Sequence, residues 1–218
     1  MALSLILIAL VGPVMAALLP HRNRHSGWFA ALAPALVFVW LLLQAPGVAA
    51  GHALMEPYPW VPELGLELTF RLDGLSLLFA LIVTGVGAGI AVYTGYYFEG
   101  EPRQGYFGAM LFLFMASMLG LVLSDNLLGL FCFWEGTSIT SYLLIAFKTE
   151  SRAAREGGRR AFIVTGLGGL AMLAGMVLLG TVAQTYSISG IIAEASRNRA
   201  FLLHPYISPA LVLIFIGA

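Results

Sequence analysis

Glu135 carries the clearest chemistry in this sequence. It lies in "FWEGTSITSYLLIAFK", Phe133–Lys148, inside an apolar run from Asn126 to Phe147, whereas every other acidic residue falls in a polar segment or at the end of an apolar run. Nine residues separate it from Asn126 and twelve from Phe147. At 1.5 Å per helical residue these are about 14 and 18 Å, so a helix crossing a bilayer here would hold the carboxyl near its middle. A charge at that depth costs about 2.5–3.5 kcal/mol on insertion scales, so it calls for a reason. A proton or cation relay is one reason. The alternative is a neutral acid that only hydrogen-bonds neighbouring helices, a task Ser or Asn performs at lower cost. We read Glu135 as a protonatable relay.

Its surroundings suit that chemistry. Cys132, Ser138 and Tyr142 stand at i−3, i+3 and i+7 on the same helix face, and Thr137, Thr140 and Ser141 form a second polar stripe. Hydroxyls donate to carboxylates and hold water, so Thr137, Ser138 and Ser141 are candidates for lining a pathway. The competing use of each hydroxyl is a bond back to its own helix. Asp125, in "SDN", fits helix capping together with Asn126, and alternatively an ion-entry carboxylate at the mouth of the run. No cation is placed to face Glu135. Lys148, the sole lysine, lies thirteen residues on, about 20 Å along the helix, and all ten arginines fall in loops or at run ends. The counter-charge is therefore expected beyond Ala218 or in a transported cation, unless the acid rests protonated.

Other residues carry less. His21, His25, His52 and His204 fall in loops and read as solvated, and the single Cys132 cannot form an internal disulfide. No zinc spacing, phosphate-binding loop or nucleophile elbow occurs, so no metal or cofactor is expected. "GVGAG" at Gly85–Gly89 lacks the dinucleotide-binding spacing and reads as packing. Gly85 with Gly89, and Gly168 with Gly175, are spaced to let helices approach closely, and Gly166 and Gly169 add further small positions.

The elements that must hold Glu135 follow from hydropathy. The 218 residues are 60% hydrophobic and 10% charged, with mean hydropathy +0.91. A soluble domain carries about 25% charged residues, so this is an integral membrane protein, and the long apolar runs specify helices rather than a barrel. Zero net charge argues against a nucleic-acid partner. The expected architecture is an all-α polytopic membrane protein with six full spans: Ala2–Leu19, Trp28–Leu43, Leu75–Phe98, Tyr106–Leu123, Asn126–Phe147 and Ala161–Ala183. A seventh begins near Pro209 and stops at Ala218. The first run lacks a positive n-region, which favours a span over a cleaved signal peptide.

Between the second and third spans, "LGLELTFRLD" (Leu64–Asp73) alternates apolar and polar residues and predicts a one-sided surface strand, or a hairpin, after a Pro-rich stretch (Pro57, Pro59, Pro62). Ser187–Pro205 is too polar to span and predicts a short amphipathic helix on the outer face. Of the eleven Lys and Arg, eight fall in loops 1–2, 3–4 and 5–6, mostly in "KTESRAAREGGRR", Lys148–Arg160. Those loops are expected in the cytoplasm and the N-terminus outside. Residues 1–218 are expected to form one transmembrane helical domain of a longer subunit.

Two segments, "DGLSLLFALIVTGVGAGIAVYTGYYF" (Asp73–Phe98) and "SDNLLGLFCFWEGTSITSYLLIAF" (Ser124–Phe147), resemble the antiporter-like subunits of respiratory complex I and of Mrp-type multisubunit cation/proton antiporters. Trp134–Glu135 is the centre of the match. "HSGWFA" (His25–Ala30) and "FIVTGLGGLAMLAGMVLL" (Phe162–Leu179) are more similar to the large, A-type Mrp subunits than to their complex I relatives. The resemblance implies that Glu135 is a proton-pathway residue working with a lysine on the seventh helix, a position this sequence does not reach. It implies a secondary transporter in the cell membrane rather than an enzyme, exchanging Na⁺ for H⁺ among other membrane subunits. Two readings remain beside it: a proton-pumping subunit of NADH:quinone oxidoreductase, and a structural membrane scaffold with a passive buried acid.

Overall fold

The computed structural model describes residues 25–61 and 66–218, together with Met1, Ser4, Ile8, Ala9, Val11 and Val14. Most of the expected first span, Ala2–Leu19, therefore lies outside the described residues, as do His21, Pro62 and Leu64. Among the described residues five helices are long and apolar enough to cross a bilayer. They are α1 (Ser26–Ala49), α2 (Gly74–Tyr97), α3 (Gln104–Leu123), α4 (Leu127–Ile145) and α5 (Arg152–Ala183). Among the described residues these five match the second to sixth expected spans, and one shorter apolar helix stands where the seventh is expected to begin. The protein is a mostly helical, multi-pass membrane protein.

The helix starts follow local chemistry. Asp73 opens α2 with a capping box: its carboxylate accepts from the amides of Leu75 and Ser76, at 3.1 and 3.0 Å, while the Asp73 amide donates to Ser76 Oγ at 2.7 Å. Asn126 caps α4, accepting from Leu128 and Gly129 at 2.9 and 3.1 Å. Ser151 caps α5, which runs for 32 residues. That start departs from the expected loop at Lys148–Arg160. Arg152–Arg160 is helical, because Ala, Arg and Glu favour the helix and Arg152 pairs with Glu156 at i,i+4 (2.7 Å).

Two strands, β1 (Leu54–Val61) and β2 (Leu66–Leu72), form an antiparallel pair with Leu54 opposite Leu72 and Pro57 opposite Thr69. β2 is the strand predicted from alternation. Together the two strands make the hairpin expected between the second and third spans, and β1 takes in Pro57 and Pro59 of the Pro-rich stretch. Proline is tolerated there because each strand of a two-stranded sheet is an edge, so an imide nitrogen can face away from the ladder. The alternation is also less strict than the sequence suggests. Phe70 and Leu72 are buried as expected, but so is Thr69, from the nominally polar face.

After α5 come α6 (Ile188–Arg197), the single-turn α7 (Arg199–Leu202) and α8 (Ile207–Gly217). The expected amphipathic helix is α6, with Ile191 buried and Ile192 exposed. α8 is apolar but only 11 residues long.

The core has two centres. One joins α1, α2 and α3 to the β2 residues Phe70 and Leu72, around Leu41, Ala80, Phe112 and Leu119. The other joins Leu127 of α4 to Met172, Met176 and Leu179 of α5, and to α6, α7 and α8 through Ile191, Phe201 and Ala210. Glycines set several approaches. Gly85 faces the Phe38 ring, while Gly89 has open space around it, so the pair predicted from spacing contributes one packing position. Gly168 and Gly175 both face α8, as their spacing suggests, whereas Gly166 faces open space.

Candidate functional site

α4 lies between the two core centres and sends consecutive side chains to different neighbours. Phe133 covers Gly120 of α3, and its ring stands 6.0 Å from that of Phe70. Trp134 packs on the cluster built by α5 and α8. Glu135, the next residue, is half-buried and points to α5. Gly136 then accommodates Ser117 of α3.

The Glu135 carboxylate rests on the backbone of Gly169. A β-carbon built at Gly169 would overlap Oε1, and its next neighbours would be Glu135 Cδ at 3.5 Å and Phe131 Cε2 at 3.8 Å. Oε1 is buried and accepts no hydrogen bond among the described residues, and the indole Nε1 of Trp134 is in the same condition. Two adjacent side chains of α4, one an acceptor and one a donor, thus carry open hydrogen-bonding valence among the described residues. Buried polar atoms are almost always satisfied, so this pair marks an unusual place in the molecule.

The hydroxyls around Glu135 are used locally. Thr137 and Ser138 donate to the Trp134 carbonyl, at 2.7 and 3.3 Å, and Thr140 donates to the Gly136 carbonyl at 2.6 Å. That is the back-bonding pattern weighed against pathway lining. It leaves the oxygen lone pairs of Thr137 and Ser138 as acceptors. Ser141 is half-buried one turn further along, and Cys132 is exposed. Lys148 is exposed beyond the far end of α4.

The structure gives Asp125 work of a different kind. It does not cap α4; the neighbouring Asn126 does. Its carboxylate instead accepts from the Ser189 amide (3.1 Å), the Ser189 hydroxyl (2.7 Å) and the Ser187 hydroxyl (3.1 Å) at the start of α6. Its amide donates to the Thr69 carbonyl at 2.7 Å, and its carbonyl accepts from the Ile188 amide at 2.8 Å. One residue, 3% exposed, joins β2, the α3–α4 junction and α6. This also explains the buried Thr69, whose carbonyl is pinned against that junction. Asp125 borders a cavity of about 730 Å³ with apolar walls from Phe79, Val122 and Ile192.

At the opposite end of the helices Arg103 bonds the Thr149 hydroxyl at 3.0 Å, stands 3.4 Å from Glu150 and lies 5.0 Å from the centre of the Phe147 ring. The structure therefore pairs the segment after α2 with the one after α4 at this end, and the hairpin with the α3–α4 junction and α6 at the other.

Gly169 is the residue that sequence reasoning passed over. It was legible as a small position, but nothing local marked it as the one under the carboxylate rather than Gly166 or Gly168. The helix phase decides between them, and only the packed structure supplies it.

Comparison with known proteins gives consistent results. The family model for NADH:quinone oxidoreductase/Mrp antiporter transmembrane segments matches residues 124–218, and that for the complex I chain 5 N-terminus matches residues 60–107. Over 99% of its length the chain is 36% identical to the A1 component of a Na(+)/H(+) antiporter of Staphylococcus aureus, of which it covers 27%. Over 98% it is 39% identical to the A/B component of a probable K(+)/H(+) antiporter of Rhizobium meliloti, of which it covers 21%. A chain of the Mrp complex from a Dietzia species superposes with a TM-score of 0.81 at 30% identity, across 99% of this chain and 23% of that one. A chain of the archaeal membrane-bound sulfane sulfur reductase gives 0.73 at 19% identity, over 97% and 33% of the two chains, a likeness of fold alone. The chain spans about a quarter of the length of the curated relatives it matches.

Proposed function

This chain belongs to the NADH:quinone oxidoreductase/Mrp antiporter family of membrane subunits, and on that premise we propose that it is the N-terminal part of the large subunit of a multisubunit monovalent cation/proton antiporter. It works beside other membrane subunits as a secondary transporter, and Glu135 is its protonatable group. The observation that carries this reading is the Glu135 carboxylate, halfway along an apolar helix with Oε1 buried and unpartnered. A carboxyl fixed for structure would have its oxygens bonded, as Asp125 does. An oxygen with open valence can accept a proton, face a cation or bond water as the load passes.

The surrounding helix supports the reading. Only 11% of the most apolar window of α4 is buried, against 28% to 44% in the other four long helices, so α4 keeps a face for further elements of a longer subunit. Six spans and the start of a seventh remain our proposed count for this region, as one transmembrane domain. The N-terminus is proposed to face outward, with the Arg-rich start of α5 in the cytoplasm. Both end clusters fit that topology, because each joins only loops the charge count assigns to one side. Thr137, Ser138 and Ser141 are proposed as lining groups. Asp125 is better explained as a structural clamp than as an ion entry.

The test is Glu135→Gln in the intact assembly, with cation-driven proton movement followed in everted vesicles. Loss of exchange at normal assembly is expected; full exchange would overturn the proposal and leave a passive scaffold. One family model is named for complex I, which keeps the proton-pumping subunit of a quinone-linked enzyme as the second reading. Co-purification decides between them, since flavin and iron–sulfur subunits would indicate the enzyme, and small membrane subunits alone the antiporter.

A further inference from the structure

The second residue of the Glu135 site lies on a different helix. Gly169 is buried, and a β-carbon there would overlap one group only, the end of the Glu135 side chain; no other atom lies closer to it than Phe131 Cε2 at 3.8 Å. Other glycines of α5 meet different surroundings. At Gly175 a β-carbon would meet the Ala210 carbonyl oxygen at 2.6 Å and Ile214 at 2.9 Å, so backbone would have to move. At Gly168 the nearest atoms are the backbone of Gly217, from 3.1 Å outward. At Gly166 nothing lies within 4 Å. Gly169 alone among these four faces the flexible end of an acidic side chain.

From this geometry we infer that Gly169 is a positioning residue for the Glu135 carboxylate. Its missing side chain is the space the carboxylate occupies. Rotamer choices on a helix are few, so the carboxylate needs this gap to lie against α5. A methyl group at position 169 sends it elsewhere, by a displacement on the order of 1 Å, while the helices keep their separation. The consequence for exchange rests on the transport reading above; the position of the carboxylate does not.

The experiment compares Gly169→Ala, Gly166→Ala and Gly175→Ala in the intact assembly, with two measurements on each. The first is the exchange rate per assembled complex. The second is the rate at which a hydrophobic carbodiimide modifies Glu135, read by mass spectrometry. Gly169→Ala is expected to assemble normally, to lose about tenfold or more in exchange, since misplacing a reacting group by 1 Å costs up to ~10²-fold, and to change its modification rate at least threefold. Gly166→Ala stays within twofold of the parent in both. Gly175→Ala loses assembly. The inference is overturned if Gly169→Ala stays within twofold in both measurements, or if it fails to assemble as Gly175→Ala does. Glu135→Gln separates the two proposals: normal exchange in that variant removes the transport role, while the modification rates still decide the place of Gly169.

Discussion

Two acids ten residues apart in the chain, Asp125 and Glu135, have opposite fates. Asp125 is 3% exposed and its carboxylate accepts three hydrogen bonds, all from the start of α6. Glu135 is half-buried, and its inner oxygen accepts none among the described residues. The difference separates a carboxylate that is finished from one that is available. The first is locked by donors that cannot leave, because they are the backbone and side chains of a helix terminus. The second is bounded on one side by a bare glycine and has valence to spare.

Breaking each member tests the contrast. The largest effect is expected at Glu135. Glu135→Gln should lower exchange per assembled complex by about 100-fold or more, the range of a lost proton-transfer group, while the thermal midpoint of the purified assembly stays unchanged. Asp125→Ala should do the reverse. It orphans the donors of Ser187 and Ser189 and should cost about 3 kcal/mol, since bonds to a charged acceptor contribute about 1.5–3 kcal/mol each and do not add fully. A lowered thermal midpoint with exchange per surviving complex preserved is the expected signature. If Asp125→Ala instead silenced exchange at full stability, the two acids would have to trade roles.

Smaller effects sharpen the picture at the helix starts. Asn126→Ala removes the α4 cap and should cost about 1 kcal/mol, read as a thermal shift. Asp73→Asn should cost less and change the acid limb of stability. Burial pushes the Asp73 carboxyl up, but the Ser76 amide and hydroxyl, the Arg71 charge and the Leu75 amide together bring it below the ordinary value. A depressed folded-state value means that its stabilisation is present above the unfolded value and is lost as pH falls through the folded one. The variant should therefore show a flatter decline in stability below about pH 4 than the parent. Arg152→Ala, which breaks an exposed i,i+4 pair, should shift stability by about 0.5 kcal/mol or less.

Much of this molecule could be read before it was seen folded. Apolar runs located the five long helices, because burying a backbone in lipid demands an uninterrupted helix and lipid-compatible side chains. The place of Glu135 halfway along its helix followed from residue counting alone. Capping at "SDN" was legible as a type of event, though not which of two polar residues performs it, since both are good caps and their neighbours decide. The α5 start and the extent of the hairpin's first strand were not legible, for related reasons. Charged residues and prolines read as breaks in a membrane segment, yet Arg152–Arg160 has good helix formers and an internal ion pair, and Pro57 and Pro59 sit on an edge strand.

By itself, then, the sequence determined which described segments form long apolar helices and how far along its helix the acid lies. Those are local or one-dimensional facts, set by hydropathy and a fixed rise per residue. The tertiary structure decided that Asp125 is consumed by α6 and that Gly169, not Gly166 or Gly168, lies beneath Glu135. Helices that are apolar on nearly every side carry little periodic signal of which face meets which neighbour. Their rotation is settled only when side chains and glycine gaps pack together.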